Sequence, residues 1–148
     1  MKSIFEFLEI SAKKYPTKNA LIEGVNTISY KELLKKSQQV SENITNRIDA
    51  GQSISLLSEN SIEFVIIYFG ILMSGNIAHI IPINSSEKQI LYQIQQVKPC
   101  AIFCSELMQK KISRIKYKYE IISNIIENSK HLEFNYELKR FNDISSII

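Results

Sequence analysis

A chain of 148 residues allows one domain of ordinary size, and 45% hydrophobic with 22% charged residues is the balance of a folded chain rather than a disordered one. The formal net charge of +3 is too small to argue for nucleic acid, which needs a concentrated basic face. Two cysteines and two histidines leave little from which to build a metal site.

The start, MKSIFEFLEISAKKYP, does not read as a secretory leader, because Glu6 and Glu9 interrupt what would be its apolar stretch. The expected compartment is the cytoplasm, and the sequons at Asn43 and Asn84 are then chance matches. Ser3 to Glu6 has the form of a capping box. Ile4, Leu8, Ser11, Ala12 and Tyr15 follow at helical spacing, and Pro16 stops the helix. NALIEG (Asn19 to Gly24) and NTIS (Asn26 to Ser29) read as a small hairpin turning at Gly24.

A second capping box, Ser29 to Glu32, opens a helix with Leu33, Ser37, Val40, Ile44 and Ile48 on one side, and Gly51 lies beyond its end. A strand is expected at Ser53–Ser58. Next comes the longest apolar run, Phe64 to Met73, about half of the ~20 residues a bilayer-spanning helix needs. Asn60 or Ser61 in front and Ser74-Gly75-Asn76 behind are suited to end a helix, so this is a short buried helix, Ser61–Ser74, with no membrane role. A strand at Asn76–Ile81 ends at Pro82. A helix at Ser86–Val97 ends before Pro99, and CAIFC, Cys100–Cys104, is the next strand.

Strands alternating with helices over such short connections, and apolar on both faces, imply an α/β fold. It is a parallel-sheet β-α-β-α-β unit preceded by a helix, a small hairpin and a helix. Ile66, Phe69 and Met73 are expected in its core. Cys100 and Cys104 on one strand would lie on the same face about 13 Å apart, too far for a disulfide, and are expected as reduced core residues.

Residues 106–148 are open to two readings. Met108, Ile112, Ile115, Tyr119, Ile122 and Ile126 fit one amphipathic helix from Glu106 to about Asn128, yet YKYEIIS (Tyr117 to Ser123) would also serve as a strand. Lys110, Lys111, Arg114, Lys116 and Lys118 form the one basic cluster, expected as a solvated helix face.

No catalytic constellation emerges. A loop that wraps phosphate needs several glycines close together, and Gly24, Gly51, Gly70 and Gly75 stand singly. His79 is expected in a structural role, and Glu59, Glu63 and Glu87 at helix starts, where a carboxylate suits the positive end of the dipole.

The order of the segments nevertheless resembles the N-terminal region of the adenylate-forming (AMP-binding) superfamily, most of all the AMP-forming acyl-CoA synthetases. The matching positions are Pro16, Ala20 and Leu21; Ser29, Tyr30, Glu32 and Leu33; Gly51; Asn60, Glu63 and Phe64; and Gly75, Pro82 and Asn84. They span roughly the first 105 residues, with Gln52 where the family usually has Asp.

The family's phosphate loop, a Ser/Thr/Gly-rich stretch ending in Pro-Lys-Gly, is not found: no Gly follows Gly75 and no Pro follows Pro99. The resemblance therefore implies a single partial domain over 1–148, the scaffold part of an acid-activating ligase, inactive alone. ATP and Mg²⁺ are implied for a complete enzyme, and no catalytic, cofactor-binding or metal-binding residue is assigned to this chain. The alternative is a non-catalytic interaction module, or a degenerate remnant, with the family's N-terminal fold. Expected partners are the downstream fragment of the same enzyme, or a second copy drawn to the apolar ending at Ile144, Ile147 and Ile148.

Overall fold

The computed structural model describes residues 3–134. Helix α1 (Ile4–Lys14) starts where the Ser3 N–H donates to Glu6 Oε2 at 3.2 Å. The hairpin β1 (Asn19–Glu23) and β2 (Asn26–Ser29) is antiparallel, with Glu23 opposite Asn26 across a turn at Gly24. Helix α2 (Tyr30–Thr45) begins at the capping box: the Glu32 N–H donates to Ser29 Oγ at 3.2 Å, and the Ser29 N–H to Glu32 Oε2 at 3.1 Å. Then follow β3 (Ser53–Leu57), α3 (Ile62–Met73), β4 (Ile77–Ile80), α4 (Glu87–Val97) and β5 (Ala101–Cys104). Of the two candidate caps, Ser61 caps α3, its Oγ accepting from the Phe64 N–H at 3.0 Å.

Beyond β5, neither reading of the tail holds whole. A 3₁₀ turn (Glu106–Met108) leads into a short α5 (Gln109–Arg114), then β6 (Glu120–Ile121) and α6 (Ile122–Ser129). The expected continuous helix from Glu106 to Asn128 is broken at Lys116, whose φ of 60° is left-handed. The expected strand at Tyr117–Ser123 survives as two ladder residues. Glu120 and Ile121 gain hydrogen bonds from β5, which outweigh the helical spacing of their neighbours. Ile144, Ile147 and Ile148 lie outside the described residues.

The sheet runs β4-β3-β5-β6 with every pair parallel. Strand side chains alternate between its faces. Ile54 and Leu56 join a core with α1, α2, α3 and α6, whereas Leu57, Ile102 and Cys104 join a second core with Ile90 and Ile94 of α4 and Ile112 of α5. Ile66 and Met73 are buried as expected, and Phe69 is half-buried. Ile4 and Tyr15, expected on the inner stripe of α1, are 44% and 46% exposed; Leu8 and Ala12 alone among its residues are buried.

Helix α3 is apolar nearly all round because one side lies on the sheet and another meets α2. At the crossing, a Cβ added to Gly70 would sit 2.4 Å from Val40 Cγ1 and 2.8 Å from Val40 Cβ. Past its end, the Asn76 side chain joins the starts of β3 and β4. Its Oδ1 accepts from the Gln52 N–H at 2.9 Å, and its Nδ2 donates to Ser74 Oγ at 2.9 Å.

Gly70→Ala overpacks this crossing and should lower the unfolding free energy by about 1–3 kcal/mol in urea titration. Ser37 on α2 is fully buried, and its hydroxyl has no hydrogen-bond partner. Ser37→Ala should therefore leave stability unchanged or raise it by about 1 kcal/mol in the same measurement.

Candidate functional site

The chain leaves β3 toward β4 on one side and later returns to β5 on the other, so the strand order reverses between β3 and β5. In open parallel sheets the crevice at the carboxyl ends of such strands is the usual place for a ligand. Here it is formed by Ser58 and Glu59 after β3 and by Ser105 and Glu106 after β5. The Ser105 N–H donates to the Leu57 carbonyl at 3.1 Å and its hydroxyl to Glu59 Oε2 at 2.5 Å, tying the two loops together.

Further carboxylates gather beside them. Glu23 of the hairpin accepts the Ile62 N–H at 2.8 Å, covering one of the free donors at the start of α3. Glu106 accepts from the Ser123 hydroxyl at 3.3 Å. Glu63 titrates above the ordinary range, chiefly because partial burial strips water from its charge, and then because Glu106, Glu23 and Glu59 repel it. The adjoining hollow, about 450 Å³, is lined by Glu23, Glu32, Glu59 and Glu63 with Lys36 as its cation.

Such a mouth disfavours phosphate. The glycines do not supply a cradle either: Gly24, Gly51 and Gly75 each serve a separate turn with positive φ, and Gly70 lies against Val40. Among the described residues, no group of three or more His, Cys, Asp or Glu is arranged to hold a metal ion. Adenine-nucleotide phosphates and their Mg²⁺ thus do not fit this crevice among the described residues.

The helix-start placement expected for the three glutamates holds for Glu63 and Glu87 and not for Glu59. Glu63 lies in the first turn of α3, whereas Glu59 precedes that helix and accepts from Ser105 across the crevice, and the Ile62 N–H at the start of α3 donates to Glu23, nearly forty residues away in sequence. Glu87 does lie in the first turn of α4, paired with Arg114 at 3.0 Å.

His79 lies beside Ser55 in the β3–β4 register, with Ser55 Oγ and His79 Nδ1 2.8 Å apart. Partial burial pushes its pKa below 6.5, against a smaller upward pull from a hydrogen bond with Gln93. Ser55 is fully buried, so the pair is structural and exposes no nucleophile. Cys104 is buried, its thiol pushed up to about 11 by desolvation, but Cys100 is exposed rather than part of the core, because it precedes the first ladder residue of β5. The basic cluster is not one helix face. Lys111 Nζ donates to the carbonyls of Ile83 and Ser85 at 2.9 and 3.1 Å, and with Arg114 fastens α5 to the β4–α4 connection.

Residues 8–142 match the family described as AMP-binding enzyme. The chain belongs to this family. It is 25% identical over 108 residues to 2-succinylbenzoate–CoA ligase of Lactococcus lactis, covering 73% of this chain and 23% of the ligase. Against tyrocidine synthase 3 of Brevibacillus parabrevis it is 32% identical over 89 residues, covering 60% of this chain and 1% of the synthase.

The inhibitor-bound N-terminal domain of FACL13 from Mycobacterium tuberculosis has the same fold, with a TM-score of 0.82 at 17% identity. That superposition covers 90% of this chain and 36% of the domain. The chain thus spans under a quarter of these curated relatives and about a third of that domain. The parallel sheet expected from the sequence is the fold the family uses, and β6 and α6 add to the expected unit.

None of the crevice contacts was read from the sequence. Glu23–Ile62 and Glu59–Ser105 join residues 39 and 46 positions apart, and no local spacing signals them.

Two titrations check the electrostatics. Because the folded-state pKa of Glu63 is raised, its contribution to stability is present below about pH 4.5 and is lost as pH rises through the folded value. Glu63→Gln should therefore raise the melting temperature at pH 7 and leave it unchanged well below pH 4.5. For His79 the folded pKa is lowered, so its contribution is present above about 6.5 and lost as pH falls through the folded value. An NMR titration of the imidazole should give a midpoint below 6.5.

Proposed function

We propose that this chain forms part of the scaffold of an acid-activating ligase of the AMP-forming type, and that the groups acting on ATP lie on polypeptide outside it. The observation that carries this reading is the family match over residues 8–142 in a chain spanning only 23% of a CoA ligase to which it is similar. The crevice chemistry supports it, since the carboxylates at the ends of β3 and β5 suit a structural mouth and not a phosphate site. ATP and Mg²⁺ belong to the complete enzyme. The partner is the polypeptide that completes the N-terminal domain, and the compartment is the cytoplasm, in keeping with two unpaired cysteines. No helix among the described residues is long and apolar enough to cross a membrane.

The purified chain, offered a panel of carboxylic acids, should give no carboxylate-dependent exchange of pyrophosphate into ATP. Exchange above that of a mock preparation would refute the assignment of the chemistry to other polypeptide. The coding sequence after the Ile148 codon should contain a Ser/Thr/Gly-rich loop ending in Pro-Lys-Gly, and co-expression of that segment should restore exchange. A downstream sequence without the loop in any frame would instead favour a free-standing module.

A further inference from the structure

The two residues of the outer strand and the three that lead into it, Tyr117–Ile121, are complementary to themselves. Strand β6 is the outer strand of the order β4-β3-β5-β6, and only Glu120 and Ile121 pair inward, with Phe103 and Cys104. Among the described residues no strand lies on its outer side. Two hollows of about 420 and 530 Å³ run along this edge and share Tyr119 and Glu120. Tyr119 and Ile121 pack on the α4–α5 side of the sheet, whereas Glu120 reaches the other side, 2.7 Å from Arg47 just past the end of α2. Lys118 is exposed, and Tyr117 retains 39% of its surface.

An edge strand presents a row of unpaired N–H and C=O groups to any other strand. A lone edge lysine opposes such pairing. Lys118 placed two residues before Glu120 does the reverse. Rotating the segment about a two-fold axis through Tyr119 sets Lys118 opposite Glu120 of a second copy and Glu120 opposite its Lys118. Tyr119 then faces Tyr119, and Tyr117 faces Ile121. Every cross-strand pair matches, opposite charge with opposite charge and apolar with apolar. Moving the axis to Lys118 would set lysine against lysine, and a one-residue slip would set tyrosine against glutamate, so this register is singled out.

We propose that Tyr117–Ile121 is a self-association edge, at which a second copy of this chain adds its own Tyr117–Ile121 antiparallel. The two four-stranded sheets then become one continuous sheet about a two-fold axis, the symmetry that uses one surface twice. This goes beyond the ligase reading and does not depend on it. The seam is short, so the dimer is weak and forms reversibly at high protein concentration.

Sedimentation velocity of the full chain up to hundreds of micromolar should show a monomer–dimer equilibrium. Lys118→Glu sets like charges opposite each other at both charged pairs, as does Glu120→Lys. Each variant alone should weaken the dimer by roughly tenfold or more. Mixing the two variants restores both opposite-charge pairs and should restore the dimer. Because Glu120→Lys also removes the ion pair with Arg47, circular dichroism melts confirm folding. Salt supplies a second readout on the exposed Lys118 position: it should weaken the wild-type dimer and strengthen that of Lys118→Glu. A wild-type chain that stays monomeric, a dimer indifferent to both substitutions, or folded variants that do not pair when mixed would each overturn the proposal.

Discussion

The crossing of α2 over α3 leaves no room for a side-chain carbon at Gly70, where a Cβ would meet Val40 at 2.4 Å and the Ser37 carbonyl at 3.3 Å. Much of the molecule depends on that close approach. It brings Val40 and Ile44 of α2 to full burial against Ile67 and Ile71 of α3. Each such side chain contributes roughly 1.5–3 kcal/mol on leaving water. Dense packing also explains why Ser37 and Ser41, small and polar, are fully buried on α2: larger residues would push the helices apart. Helices α1 and α6 then pack on α2, closing one of the two cores.

Held in this way, α3 fixes where the chain re-enters the sheet. Gly75 takes a φ of 78° just past its end, a conformation that costs a side-chain-bearing residue strain. The next residue, Asn76, bonds the strand entry at Gln52. Strand β4 therefore begins alongside β3, with Ser53 opposite Ile77. On the far side of β3, the Cys100 N–H donates to the Ser53 carbonyl at 2.9 Å and starts β5 level with both. Strands that begin together end together, and the crevice between β3 and β5 follows from this alignment.

What gathers at that crevice is negative. Four carboxylates meet there because the hairpin, the two strand ends and the start of α3 converge, and three of them accept hydrogen bonds from Ile62, Ser105 and Ser123. Their use is to hold loops and a helix end in place. Such an acidic mouth accords with the proposal that phosphates are bound on polypeptide outside this chain.

The elements through β5 were legible in the sequence because their signals are local. Ser29 with Glu32 caps α2 within four residues, Ser61 caps α3, Pro82 and Pro99 break the pattern between elements, and apolar strands between helices imply a parallel sheet. Over residues 106–129 local signals conflicted, since helical spacing and strand propensity fall on the same residues. Pairing of Glu120 and Ile121 with a strand already in place decided between them. Likewise, the sequence alone placed Glu23 in the hairpin, Glu59 and Glu63 at one helix start and Glu106 in the tail, Cys100 in the core and the lysines on one helix face. Only the assembled sheet brought the carboxylates together, left Cys100 exposed and turned Lys111 onto the β4–α4 connection. Caps and periodicities reach a few residues along the chain, whereas these contacts join residues 26 to 46 positions apart and exist only once the strands have aligned.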